Sequence, residues 1–158
     1  RPLMMLTKEK EEIDKAISTM KNNLEFYEAI YDDDNEFEVP VIHEVMGMKW
    51  KGKADIVGKD MLIDLKTTSD GSFYGFSNSC KKYGYDRQSA FYMDGFGCDE
   101  FVFITQEKER PYNVSIFYAG DEFVERGRQE YKYLLDIYKK FFIDNEAVVE
   151  EHLIMETL

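Results

Sequence analysis

The segment "IDLKTT", Ile63 to Thr68, sets an acid and a base two positions apart in a run otherwise suited to a buried strand. Side chains alternate along a strand, so Asp64 and Lys66 share one face while Ile63 and Leu65 point to the other. A charge taken out of water must be compensated, and a same-face ion pair at a sheet edge would compensate both. A second acid points further. Asp55, in "GKADIVG", comes beside Asp64 across a hairpin if the chain turns around Gly58 to Asp60. Two adjacent carboxylates repel unless they share a proton or bind a cation. Asp55, Asp64 and the backbone carbonyl of Leu65 are oxygen donors of the kind Mg²⁺ takes, with Mn²⁺ as its substitute. Lys66 would then hold an attacking hydroxide or a phosphate oxygen beside the cation. Two acids and a lysine around a divalent cation suit phosphodiester hydrolysis.

The spacing also carries a resemblance. "GKAD" (Gly52 to Asp55) followed by "DLK" (Asp64 to Lys66) and the pair Thr67–Thr68 resembles the G-x-x-D…(D/E)-x-K signature of the PD-(D/E)xK nuclease superfamily. "YGYDRQSAFYMDGF" resembles the Q-x-x-x-Y motif of its RecB-like branch, here Gln88 and Tyr92. These two are i and i+4 and share a helix face, with Tyr85 one turn earlier. The run from about Ile42 to Phe96 is most similar to phage-type exonucleases, the exodeoxyribonuclease VIII (RecE-type) and lambda-exonuclease relatives.

The resemblance implies an α/β fold with a restriction-endonuclease-like core and a Mg²⁺-dependent exodeoxyribonuclease. Asp55, Asp64 and the Leu65 carbonyl would bind the metal, and Lys66 would position or activate water. Gln88 and Tyr92 would line the site, touching the lysine, the water or the DNA end. Glu44 stands where relatives often carry another acid near the metal; its other reading is a solvated strand residue. Thr67, Lys81, Lys82 and Arg87 are expected on the DNA side, or the three cations are ordinary helix-surface charge. The resemblance further implies double-stranded DNA ends as substrate, a ring-shaped homo-oligomer, a single-strand annealing protein as partner, phage-type recombination and the bacterial cytoplasm. Relatives usually complete the metal site with a His or Glu on an upstream helix. Here 54 residues precede Asp55, His43 should face away from Glu44, and Glu9, Glu11 or Glu12 would have to substitute. The expectation is that this helix is missing. The alternative function is therefore a catalytically impaired nuclease-fold module that binds DNA or protein.

Elements must position these residues. Apolar residues at Ile13, Ala16, Ile17, Met20, Leu24 and Tyr27 predict one helix over Thr7 to Tyr31. Three antiparallel strands follow, over roughly 42–50, 53–58 and 61–67, with Gly52 in the tight turn between the first two. Ser69 to Gly84 reads as a loop rich in Gly, Ser and aromatics, its "GSFYGF" stacking on bases or covering the core. Tyr85 to Gly97 predicts a helix ending at glycine. Two more strands lie in "DEFVFITQEK" and "YNVSIFYAG". A long helix over Asp121 to Asn145 takes Asp121 as cap, and its stripe of Tyr131, Leu134, Leu135, Tyr138, Phe141 and Phe142 is core or subunit interface. The last residues are a short helix at most, and His152 has no role. The order α-βββ-α-ββ-α predicts a single domain over 1–158, with a central mixed sheet of about five strands flanked by helices.

Composition narrows the function class. The 158 residues are 44% hydrophobic and 15% aromatic, which fits a folded domain with a core. There is no run of 18 apolar residues, no signal peptide and no Walker-type glycine loop, so neither a membrane span nor an ATPase is expected. Cys80 and Cys98 are too few for a disulfide framework or for the four thiolates of the iron–sulfur cluster in CRISPR-associated relatives, and they read as cytosolic. Net charge is -12, unevenly spread. Residues 49–88 carry 8 basic and 5 acidic groups, while residues 1–48 carry 5 and 12 and residues 89–158 carry 7 and 15. A polyanion would be received at the middle and repelled elsewhere.

Overall fold

The computed structural model describes residues 7–144; the expected tail helix and His152 lie outside the described residues. Ten elements run α1 (Thr7–Lys21), α2 (Leu24–Ile30), β1 (Glu36–Val45), β2 (Met48–Val57), β3 (Met61–Thr68), α3 (Phe73–Tyr83), α4 (Tyr85–Phe96), β4 (Glu100–Glu107), β5 (Val114–Tyr118) and α5 (Asp121–Phe142). The five strands form one mixed sheet in sequence order. Only β3 and β4 are parallel; the other neighbours are antiparallel.

Helices cover both faces. Phe26 and Ile30 of α2 pack on Ile56, Ile63, Val102 and Ile104. On the opposite face Phe76 and Cys80 of α3 meet Ala54, Leu62, Phe101 and Phe103. The β4 run "FVFI" is therefore buried on both sides, as expected of a strand inside a two-faced sheet. A third cluster joins Val45 and Ala90 to Val124 and Tyr131 of α5.

The structure departs from the sequence expectations at four places. The predicted first helix is two, because Asn23 accepts a hydrogen bond from the Glu25 N–H and caps α2. The first hairpin turns at Met46–Gly47, with φ of 55° and 76°, the paired positive values of a tight hairpin turn. Gly52 instead lies inside β2. The segment read as a loop contains α3, capped by Ser72, which accepts from the Gly75 N–H, and closed by left-handed Gly84. Phe76 enters the core while Phe73 and Tyr74 are exposed. Gly120, not Asp121, is the cap residue of α5. Along that helix Tyr131 is buried, whereas Leu134, Tyr138 and Phe142 are exposed. Among the described residues no helix is long and apolar enough to cross a membrane.

Candidate active site

The candidate site lies where β2 and β3 separate. Their ladder holds Ile56 opposite Ile63 and Val57 opposite Leu62. Beyond it, the Leu65 N–H donates to Asp55 Oδ2 at 2.9 Å, so a carboxylate takes the place of the next backbone acceptor. The N–H and C=O of one strand residue point to the same edge, and the Leu65 carbonyl therefore opens toward the same gap. Strand β2 also turns over at this point. Ala54 packs with Leu62 and Phe76, yet Ile56 packs with Ile63 and Phe26 on the other face. Strict alternation would keep both on one side. Glu38, between the β1 residues that pair with Ile56 and Ala54, has φ of 57°.

Asp64 faces α4 and is 4% exposed. Gln88 Nε2 donates to Asp64 Oδ1 at 2.6 Å, and the Lys66 ammonium stands 2.5 Å from Oδ2. That contact is an ion pair, and a carboxylate oxygen with one partner keeps a lone pair for a further one. Burial pushes the Asp64 carboxyl above its ordinary range, Lys66 opposes this, and the negative charge of Asp55 adds to it. The Lys66 ammonium also lies 4.7 Å over the Tyr85 ring, which stacks in turn on Phe103 and Tyr83. Desolvation, together with the charge of Asp64, raises the Tyr85 phenol.

Helix α4 thus delivers Gln88 and Tyr85 to β3. Tyr92, one turn beyond Gln88, is held against β2. Its hydroxyl accepts from the Lys53 N–H at 3.4 Å, and its ring covers Gly52 so closely that a Cβ there would collide. It secures β2, and the aromatic ring beneath the Lys66 ammonium is that of Tyr85. The glycine and tyrosine of the two motifs are one packing contact. A groove of about 350 Å³ borders Gln88 and Tyr92, lined also by Trp50, Arg87 and Leu134.

The remaining site expectations divide. Glu44 is not brought to the carboxylates: it is exposed, pairs in register with Lys49 at the far end of the hairpin, and lies six positions along β1 from Glu38. Its β1 neighbour His43 faces α4, packed on Phe91. Lys81 and Lys82 are exposed in the last turn of α3, not at the start of α4, and Lys82 rests over Tyr83. Arg87 is in the first turn of α4, paired with Glu130 at 2.8 Å. Thr67 is exposed on β3, beside Thr68 and Lys108 in a small cavity. Glu9, Glu11 and Glu12 are exposed on α1. Among the described residues no group of three or more His, Cys, Asp or Glu is placed to hold a metal.

The ion pairs that set α4 in place were not anticipated. Asp86, 4% exposed, meets Arg126 at 2.9 Å; Asp94 meets Arg128 at 2.8 Å and the Tyr131 hydroxyl. Complementary charges at helical spacing on two segments were the available signal, but it has meaning only once α4 and α5 are known to be neighbours.

Comparison with known proteins agrees with this architecture. Among curated proteins none matches the sequence. A crystal structure of a candidate exonuclease from Eubacterium rectale superposes with a TM-score of 0.72 at 16% identity, covering 100% of this chain and 66% of that one. The chain thus spans just under two thirds of that protein's length. A phage-related exonuclease from Haemophilus somnus 129PT gives 0.45 at 14% identity, over 86% of this chain and 76% of that one. The sheet and its helices form the restriction-endonuclease-like core that the motifs led one to expect. The family model that matches residues 3–149 is the PDDEXK-like domain of unknown function (DUF3799), and the chain belongs to that family.

Proposed function

We propose that this domain is a divalent-metal-dependent deoxyribonuclease acting on double-stranded DNA ends, with Mg²⁺ as the cation. The observation that carries the reading is the buried Asp64. It is gripped by Gln88 and Lys66, and Asp55 on the neighbouring strand is fastened to the Leu65 N–H. A buried carboxylate with a raised proton affinity and a second acid close by is a charge arrangement that a cation relieves. Asp55, Asp64 and the Leu65 carbonyl would hold it. A hard divalent cation supplies Lewis-acid activation of water and neutralises charge on the phosphate. Lys66 places a positive charge beside the attacking oxygen and stabilises the negative charge that develops there. Gln88 fixes the Asp64 carboxylate in one orientation, and Tyr85 carries the Lys66 ammonium on its ring face. The exonuclease name of the Eubacterium rectale structure agrees with this reading. A ring of copies around the duplex, an annealing-protein partner and a role in phage-type recombination enter through the motif resemblance alone.

A second reading has one observation in its favour. Only two acidic side chains, not three, converge among the described residues, as in a nuclease-fold module that binds DNA or protein without cutting it. Labelled linear and circular duplexes, each incubated with and without Mg²⁺, separate the readings. Loss of the linear form alone, only with metal, supports the exonuclease. Retention of both forms together with no Mn²⁺ binding by calorimetry supports the module.

A further inference from the structure

The β2 sequence "KWKGKAD" places Lys49, Lys51 and Lys53 on alternate positions that lead to Asp55. Their exposure alternates with half-buried Met48, Trp50 and Gly52. Trp50 and Gly52 face the helices, where Trp50 meets Tyr138 of α5 and Gly52 meets Tyr92 of α4. The three lysines therefore project from the opposite side of the hairpin. At the strand rise of ~3.3 Å per residue, successive ammonium stems stand about 6.6 Å apart. One strand of duplex DNA rises ~3.4 Å of axis per phosphate but winds as it rises, so neighbouring phosphates are roughly twice that far apart through space and the row matches successive phosphates.

Ordinary edge protection does not explain the row. Lysines on a sheet rim block unwanted strand pairing, but β2 is an interior strand and β1 is the edge. The exposed acids that neighbour the row across the hairpin, Glu38 and Glu44, are on β1. Glu38 pairs with Lys53 and Glu44 is the register neighbour of Lys49, while Lys51 faces exposed Ile42. The row is also unusual in a chain of net charge -12.

We infer that Lys49, Lys51 and Lys53 form a backbone-binding track that guides one strand of a DNA duplex toward Asp55. Lys53 is its inner end: Glu38 holds its ammonium, and the charge of Asp55 also acts on it. Lys49 and Lys51 are the outer contacts. The inference rests on the nuclease reading and adds the direction from which the substrate arrives: along the side of the hairpin turned away from α4, to the gap between β2 and β3 where Asp55 accepts from the Leu65 N–H.

The test uses the full chain carrying Asp64→Asn, so that DNA is bound and not consumed. Anisotropy of a labelled blunt duplex is followed over a series of salt concentrations, for this parent, for the same chain with Lys49→Gln and Lys51→Gln, and for one with Lys8→Gln and Lys10→Gln on α1. Removing one lysine from a phosphate should flatten the slope of log K against log salt by about 0.9. The track predicts a slope flatter by about 2 for the β2 pair, weaker binding at low salt, an unchanged melting curve, and no change in slope for the α1 pair. A β2 pair that binds like the parent, or an α1 pair that shifts equally, overturns the track and leaves the nuclease reading standing. A parent that binds no duplex at any salt concentration overturns both.

Discussion

The Tyr92 ring lies over Gly52 where any larger residue would place its Cβ, and its hydroxyl receives the next backbone N–H, that of Lys53. One residue from α4 thereby sets the height of β2 just before Asp55. Gly52→Ala should force the ring or the strand to move, costing roughly 1–3 kcal/mol. Tyr92→Ala should relieve the clash, so the double variant should be more stable than the sum of single losses predicts. Urea melts of the four proteins measure this; strict additivity would mean that the ring and the strand are not in contact.

The Gln88 side chain donates to an oxygen of Asp64, and in the proposed nuclease it would orient that carboxylate. Gln88→Ala should lower Mn²⁺ affinity or turnover by about 10–100-fold, the usual effect of losing a partner of a metal ligand. Calorimetric titration with Mn²⁺ reads the first and initial rates read the second. An unchanged value in both would remove Gln88 from the site.

Tyr85 offers Lys66 a ring face, not a hydroxyl. Tyr85→Phe should therefore keep activity, while Tyr85→Leu should lose an interaction of about 0.5–2 kcal/mol, or roughly 2–30-fold in rate. Equal loss in the two variants would point to the hydroxyl instead.

Asp94 anchors α4 to α5. Burial alone would raise its carboxyl, but the bonds from Arg128 and Tyr131 outweigh burial and hold it below the ordinary carboxylate range. A carboxyl depressed in the folded state stabilises above its unfolded value of about 3.9, and this is lost as pH falls through the lower folded value. Asp94→Asn should cost roughly 1–3 kcal/mol at neutral pH, and the gap between the two proteins should close in acid. Melting temperatures from pH 7 to pH 2 check the sign; a gap that widens in acid would contradict it.

Strand alternation made much of this fold legible. Asp64 and Lys66 share a face, Asp55 comes beside them from β2, and Gln88 reaches them from a helix predicted to within a residue. What escaped prediction depends on contacts distant in sequence. Gly52 reads as a turn residue until Tyr92 is placed on it, and the true turn at Met46–Gly47 is hidden inside an apolar run. The α3 segment is poor in strong helix formers; its cap at Ser72 and the burial of Phe76 and Cys80 hold it. Glu44 enters the site only by motif analogy, and the length of the hairpin carries it away.

The central claim is that Asp64 and Lys66 form a hydrolytic centre. The most direct measurement is digestion of an end-labelled linear duplex in Mg²⁺ by the parent, Asp64→Ala and Lys66→Ala proteins, each shown folded by circular dichroism. The account predicts shortening of the label by the parent alone, stopped by chelator. Equal digestion by either folded variant, or a parent inert with both Mg²⁺ and Mn²⁺, would contradict it.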